Sequence, residues 1–210
     1  MNKMTKEQLN IIVICSVCKQ KRRQGEMMLG TVKPICEHCY KKKGGENMKQ
    51  AYFAGGCFWC ITPTFQEMEG VTTVTSGYSG GEEVDPTYED VKYQRTGHRE
   101  TIRIAYDEDL VSYAQLLDIF LSGVDPFDEG GQFIDRGHSY TLAVYHCSES
   151  QRQVAEAGIR ALEAESGQAV YISVEPFKSF YRAEEEHQDY YLKHPEEFRQ
   201  ELIDSGRVKA

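Results

Sequence analysis

Two cysteines carry the clearest capacity for chemistry, Cys57 and Cys60 in the stretch Gly55-Gly56-Cys57-Phe58-Trp59-Cys60. The apolar run Tyr52-Phe53-Ala54 precedes the paired glycines. Glycine lets a backbone turn where a side chain would clash, so the order reads strand, sharp turn, helix. A cysteine in the first turn of a helix meets unpaired N–H groups and the positive end of the helix dipole. That setting favours thiolate over thiol. A second cysteine three residues later shares the helical face, within possible disulfide reach. Phe58 and Trp59 are suited to walling a small apolar pocket. The expectation is a reactive cysteine beside an aromatic box. The bland alternative is an inert buried cysteine, or half of a metal site.

Of the seven cysteines, six fall into three C-x-x-C pairs and the seventh is Cys147. The first two pairs are Cys15-Ser16-Val17-Cys18 and Cys36-Glu37-His38-Cys39, with 17 residues between them. Each such knuckle supplies two thiolates from one turn, and two knuckles complete the tetrahedral set that zinc prefers. Cys15, Cys18, Cys36 and Cys39 are therefore expected to bind structural zinc, with His38 able to replace one cysteine. A unit of about 40 residues is too small to fold on hydrophobic burial alone, so the metal would supply the folding free energy. Chance thiols in a basic arm are the alternative.

The 210-residue chain carries a net charge of −9, unevenly spread. Residues 1–50 hold 11 Lys+Arg against 4 Asp+Glu, a balance of +7, and the remainder stands at −16. With the charged, flexible Lys41-Lys42-Lys43-Gly44-Gly45 between them, this predicts two units: a zinc ribbon with basic linker over 1–47, and a catalytic domain over 48–210. Composition is ordinary for a globular protein, 40% hydrophobic and 27% charged. Paired C-x-x-C spacing argues against a secreted disulfide framework. The apolar run Ile11-Ile12-Val13-Ile14 is too short for a signal peptide or membrane span, so cytoplasmic residence is expected, without membrane association. Nucleic-acid binding by the basic unit is not expected, because charge alone more often marks a solvated surface.

The elements that must position Cys57 and Cys60 can be read in order. Strands are predicted at 50–54, 71–75, 101–106, 142–145 and 170–174, from β-branched content or alternation. A helix is predicted over 57–69, with Pro63 near its start, and the stretch 76–81 reads as a loop. Ser112 with Gln115, and Ser148 with Gln151, form capping boxes opening two more helices. The acidic tail 183–192 reads as helical. Strands and helices without a regular parallel repeat predict an α+β fold, a two-layer α/β sandwich with a mixed sheet.

Five stretches together resemble the A class of peptide methionine sulfoxide reductases, whose signature is G-C-F-W-G. They are Gly56-Cys57-Phe58-Trp59, Gly77-Tyr78-Ser79-Gly80-Gly81, Pro86-Thr87-Tyr88, Gly97-His98-Arg99-Glu100, and Asp135-Arg136-Gly137 with Tyr140. The resemblance spans 48 to about 200. It implies the A-class fold and reduction of methionine S-sulfoxide, free or in proteins, without an organic cofactor. Cys57 resembles the nucleophile, and Glu100 the acid that protonates the sulfoxide oxygen. Tyr88 and Tyr140 match tyrosines aimed at the same oxygen. Phe58 and Trp59 match the walls around the substrate methyl group, and Asp135 a pocket carboxylate that orients. Electrons would come from thioredoxin or a similar dithiol protein. The sequence departs from the family at Cys60, where glycine is more frequent, at Val124-Asp125-Pro126 and at Ser139-Tyr140-Thr141-Leu142. No cysteine follows Cys147, so Cys60 is the first candidate to resolve the sulfenic acid, and Cys147 the second.

These residue types suit the reaction on physical grounds. Thiolate attack at a sulfoxide sulfur leaves negative charge on oxygen, so donors must wait there and a proton must arrive. A glutamic acid can deliver that proton near neutral pH only when burial raises its pKa. Two rivals remain: a C-x-x-C thiol–disulfide oxidoreductase, and a zinc-ribbon binding protein carrying an inactive enzyme body.

Overall fold

The computed structural model describes residues 48–208, and before them the backbone of two short strands, β1 (Ile12–Ile14) and β2 (Lys21–Arg23). These two pair antiparallel, Val13 opposite Arg22. Cys15, Cys18, Cys36 and Cys39, and with them the expected zinc site, lie outside the described residues.

From Met48 onward the chain builds a six-stranded mixed sheet. Its strands are β3 (Met48–Gly55), β4 (Val71–Ser79), β5 (Arg99–Asp107), β8 (Leu142–His146), β9 (Ile172–Pro176) and β10 (Tyr181–Arg182). They lie in the order β10-β4-β5-β3-β8-β9, antiparallel except for the parallel pair β8 and β9. The period-two pattern decides what each face meets. Ala51, Phe53, Ile102, Ile104, Leu142 and Val144 point to one side. There they pack with Phe58, Ile61 and Phe65 of α1 (Phe58–Gln66) and with Leu116, Leu117 and Phe120 of α3 (Tyr113–Ser122). Ala155 and Ile159 of α4 (Glu149–Ser166) join the same core. Tyr52, Ala54, Ala143 and Tyr145 face the other way, where Phe177 and Phe180 cover them. Phe53 is fully buried against the Phe120 ring, so truncating it to alanine should cost about 3–5 kcal/mol. No helix among the described residues is long and apolar enough to cross a membrane.

Several local expectations need correction. β4 continues to Ser79, through the stretch expected to be a loop. Gly77 belongs there as a close-approach residue, because a Cβ would lie 2.3 Å from both the Phe180 ring and the Tyr181 carbonyl. The predicted tail helix over 183–192 is a strap instead. It runs from β10 through a 3-10 turn (Glu185–His187) and a left-handed Asp189 into α5 (Tyr190–Lys193) and α6 (Pro195–Asp204). Gln188 stitches this strap to the sheet: its side chain accepts from Ser76 N at 3.0 Å and donates to the Ser76 and Ala183 carbonyls at 2.9 Å. The box at Ser112 is complete, but at Ser148 only half forms. There the Gln151 side chain accepts from Cys147 N and donates to the Gln50 carbonyl, tying α4 to β3. The helix predicted from Cys57 is shorter, ending at Gln66.

Candidate active site

The turn from β3 into α1 is forced at Gly56. Its φ is +77°, and a Cβ there would lie 2.6 Å from the Gln132 side chain. Gln132 is itself fixed, accepting from Asp125 N and donating to the Asp125 carbonyl, both at 2.8 Å. Cys57 then falls at the N-cap of α1 and makes no side-chain cap. The first helical N–H, on Phe58, would be an orphan donor. It donates instead to Glu100 Oε2 at 3.0 Å.

Glu100 is the second residue of β5, on the face beneath α1, and is 1% exposed. Burial pushes its carboxyl up to about 8, with Asp135 adding repulsion, while the Phe58 N–H and the Tyr140 hydroxyl draw it back. At neutral pH it is a buried acid holding its proton beside Cys57. Tyr140 sits in a 3-10 turn (His138–Tyr140) whose Ser139 is clamped by Gln94, through Ser139 N to Oε1 at 3.0 Å and Nε2 to Ser139 Oγ at 2.6 Å. Tyr88 opens α2 (Tyr88–Lys92) behind a Thr87–Asp90 capping box. Its N–H donates to Glu184 Oε1 at 2.9 Å, and the other oxygen of Glu184 accepts from Tyr78 at 2.7 Å. Burial, reinforced by Glu100, raises the pKa of both Tyr88 and Tyr140, so each is a neutral hydroxyl.

Phe58, Trp59, Tyr88 and His187 form a box of four rings. Phe58 is fully buried, with its centroid 6.3 Å from Tyr88, and Trp59 stacks on Tyr190 at 3.9 Å. The fourth ring is His187, 4.1 Å from Tyr88, 5.6 Å from Trp59 and 5.8 Å from Phe58, kept neutral by burial. No local pattern in the sequence points to His187, Tyr190 or Glu184. All three come from the strap, whose acidic composition resembled a solvated helix.

The two thiols share a hydrogen bond and differ in surroundings. Cys57 donates to Cys60, and this bond first, then burial, hold the Cys57 thiol well above its ordinary range, with the neighbouring Asp135 adding to them. Cys60 is lowered, first by the bond from Cys57 and then by Arg207. A resting thiolate on Cys57, expected from the helix start, is thus corrected: the hydrogen bond to Cys60 and burial keep the proton on its sulfur. Asp135 lies in a small hairpin, β6 (Gly131–Gln132) and β7 (Asp135–Arg136), half-buried and shifted upward by that burial. Cys147 is exposed just past β8. Gly55 pairs with Leu142 at the opposite end of that strand, so Cys147 stands about 16 Å along the sheet from the Cys57 turn.

Residues 49–210 match the family model described as peptide methionine sulfoxide reductase. The Bacillus licheniformis enzyme "Peptide methionine sulfoxide reductase MsrA" is 45% identical over 165 residues, covering 77% of this chain and 91% of the relative. Among solved structures, methionine sulfoxide reductase A of Corynebacterium diphtheriae is 28% identical with a TM-score of 0.66, over 73% of this chain and 78% of that one. Mxr1 from Saccharomyces cerevisiae in reduced form gives 0.68 at 25% identity, over 71% of this chain and 87% of that one. The chain belongs to the A-class peptide methionine sulfoxide reductase family. It is an oxidoreductase that returns methionine sulfoxide to methionine, on a mixed α/β fold with a mixed sheet. Thiols alone can balance the electrons of this reductase reaction, so it needs no organic cofactor.

Proposed function

We propose that the chain reduces the S epimer of methionine sulfoxide, free or in proteins, with Cys57 as nucleophile, Glu100 as acid and Cys60 as resolving thiol. The observation that carries this reading is the Glu100 carboxyl, sealed from solvent on the Phe58 N–H and pushed up to about 8 beside Cys57. The sulfoxide oxygen receives the Glu100 proton, with Tyr88 and Tyr140 as further donors, as Cys57 sulfur bonds to the substrate sulfur. The Cys57 proton replaces the one Glu100 gave. Oxygen passes to Cys57, so thiol and sulfoxide become sulfenic acid and sulfide. Phe58 and Trp59 hold the substrate methyl group, and Asp135 orients the pocket through its charge.

Cys60 then attacks the sulfenic sulfur, forming a disulfide and releasing water. Closing a bond across one helical turn requires that turn to open. Pro63 has no N–H for the Trp59 carbonyl four residues earlier, so the turn is held by fewer bonds. A dithiol protein such as thioredoxin reduces the disulfide and is oxidised in exchange. A C-x-x-C thiol–disulfide oxidoreductase would leave Glu100, Tyr88 and Tyr140 without purpose. Cytoplasmic residence fits the C-x-x-C spacing of six of the seven cysteines, which suits a reducing compartment.

Residues 1–47 are read as a separate zinc-ribbon unit, with 48–210 as the reductase domain. The thiolate donor set fits zinc, and the β1–β2 hairpin brackets Cys15 and Cys18 in sequence. Replacing Cys15 and Cys36 by serine should remove about one zinc per chain. The test of the main reading is turnover of the two separated sulfoxide epimers with dithiothreitol. Reduction of the S epimer alone supports it, and reduction of the R epimer, or turnover by Cys57→Ser, contradicts it.

A further inference from the structure

Behind the first turn of α1 lies a cavity of about 380 Å³, lined by Cys60, Ile61, Phe65, Phe120, Leu202 and Arg207. Arg207 is its one cationic lining residue. The guanidinium carbon lies 4.0 Å from the centroid of the Phe133 ring, and Nη1 reaches the Gly123 carbonyl at 3.4 Å. Nε and Nη2 are buried and have no hydrogen-bond partner. A buried cationic donor without an acceptor is costly, so a state of the catalytic cycle that supplies an anion beside it is favoured. The group sharing this cavity that can become an anion is the Cys60 sulfur.

We propose that Arg207 is a positioning residue for disulfide formation, holding the Cys60 sulfur as the thiolate that attacks Cys57. The inference rests on the reading of Cys60 as the resolving thiol. In the step, Cys60 thiolate forms the S–S bond while the S–O bond of the Cys57 sulfenic acid breaks. The departing hydroxide takes the Glu100 proton and leaves as water. Glu100 regains a proton from solvent, where the Cys60 proton had gone. Other charged groups act on Cys60 as well. Cys57, at the N-cap of α1, donates a hydrogen bond that favours ionisation in the resting enzyme, while burial, Asp135 from β7 and Glu201 from α6 oppose it. Arg207 is the cation that offsets the two carboxylates.

The test is a rapid-quench single turnover of the full chain, following methionine release and loss of free thiol across pH. In Arg207→Gln, disulfide formation at neutral pH should slow roughly tenfold more than methionine release, the usual scale for removing an adjacent cation. Its pH profile should move upward, and Arg207→Lys should recover most of both effects. If the two steps slow equally, or the ratio and profile match wild type, Arg207 has only a structural role. Cys60→Ser separates the two levels. If that variant recycles normally with thioredoxin, the resolving assignment itself fails. If it stalls while Arg207→Gln behaves as wild type, only the proposal for Arg207 falls.

Discussion

One turn of α1 divides two regions that treat sulfur in opposite ways. Over Cys57 the surroundings are acidic and aromatic: a buried carboxyl on a backbone N–H, two neutral tyrosine hydroxyls and four packed rings. Behind Cys60 the lining is mostly apolar, with one arginine whose donors are partly unused. The first region keeps sulfur protonated and, on the proposed reading, readies a proton for an incoming oxygen. The second favours a thiolate. A two-step reaction needs both, since oxygen transfer requires an acid and disulfide formation a nucleophile. Neighbouring thiols with identical surroundings could not divide the steps this way.

The largest effect should follow from deleting the first region's sulfur. Cys57→Ser should leave no reduction above background in a methionine-release assay, because a serine hydroxyl is a poor nucleophile here. Next, Glu100→Gln should slow methionine formation by roughly 10²–10⁴, the usual range for a general acid. In wild type the rate of this step should fall as pH rises through about 8, where Glu100 loses its proton. That limb should be missing from Glu100→Gln, and its survival there would move the acid elsewhere.

Glu100 also links pH to stability. Its folded pKa, about 8, lies above the ordinary carboxyl value of 4.5. The folded state therefore binds the extra proton between those values, and stability falls as pH rises through that window. Thermal melts should show Glu100→Gln gaining on wild type from about pH 5 to about pH 8. The smallest effect concerns the support of the box. Glu184→Ala removes the acceptor of Tyr78 and of the Tyr88 N–H. Leaving these donors unpaired should cost about 1–3 kcal/mol. Denaturant melts would register that loss, and turnover should weaken through Tyr88 while the Cys60 step keeps its rate.

Much of the first region was legible in the sequence because local patterns encode it. Glycine before cysteine marks the turn, and alternation in β5 carries Ile102 and Ile104 inward, with Glu100 in phase at the start of the strand. The sequence could not show that Glu100 would meet the Phe58 N–H, a contact between residues 42 apart. The strap's course is hidden from local pattern for the same reason. Its course is fixed by Gln188 and Glu184 reaching β4 and α2, contacts about a hundred residues away in sequence. Local propensity favoured a helix there, and tertiary hydrogen bonds overrode it. Arg207 had no local signal at all, since only packing of the C-terminal segment brings it to Cys60.

The division of labour between the two thiols is tested most directly by one turnover without reductant, followed by alkylation and peptide mapping. The account predicts one methionine released per enzyme, Cys57 joined to Cys60, and Cys147 free to alkylate. A Cys57–Cys147 disulfide would contradict it, because the pair would have to close about 16 Å along the sheet. So would Cys60 recovered alkylated after full methionine release.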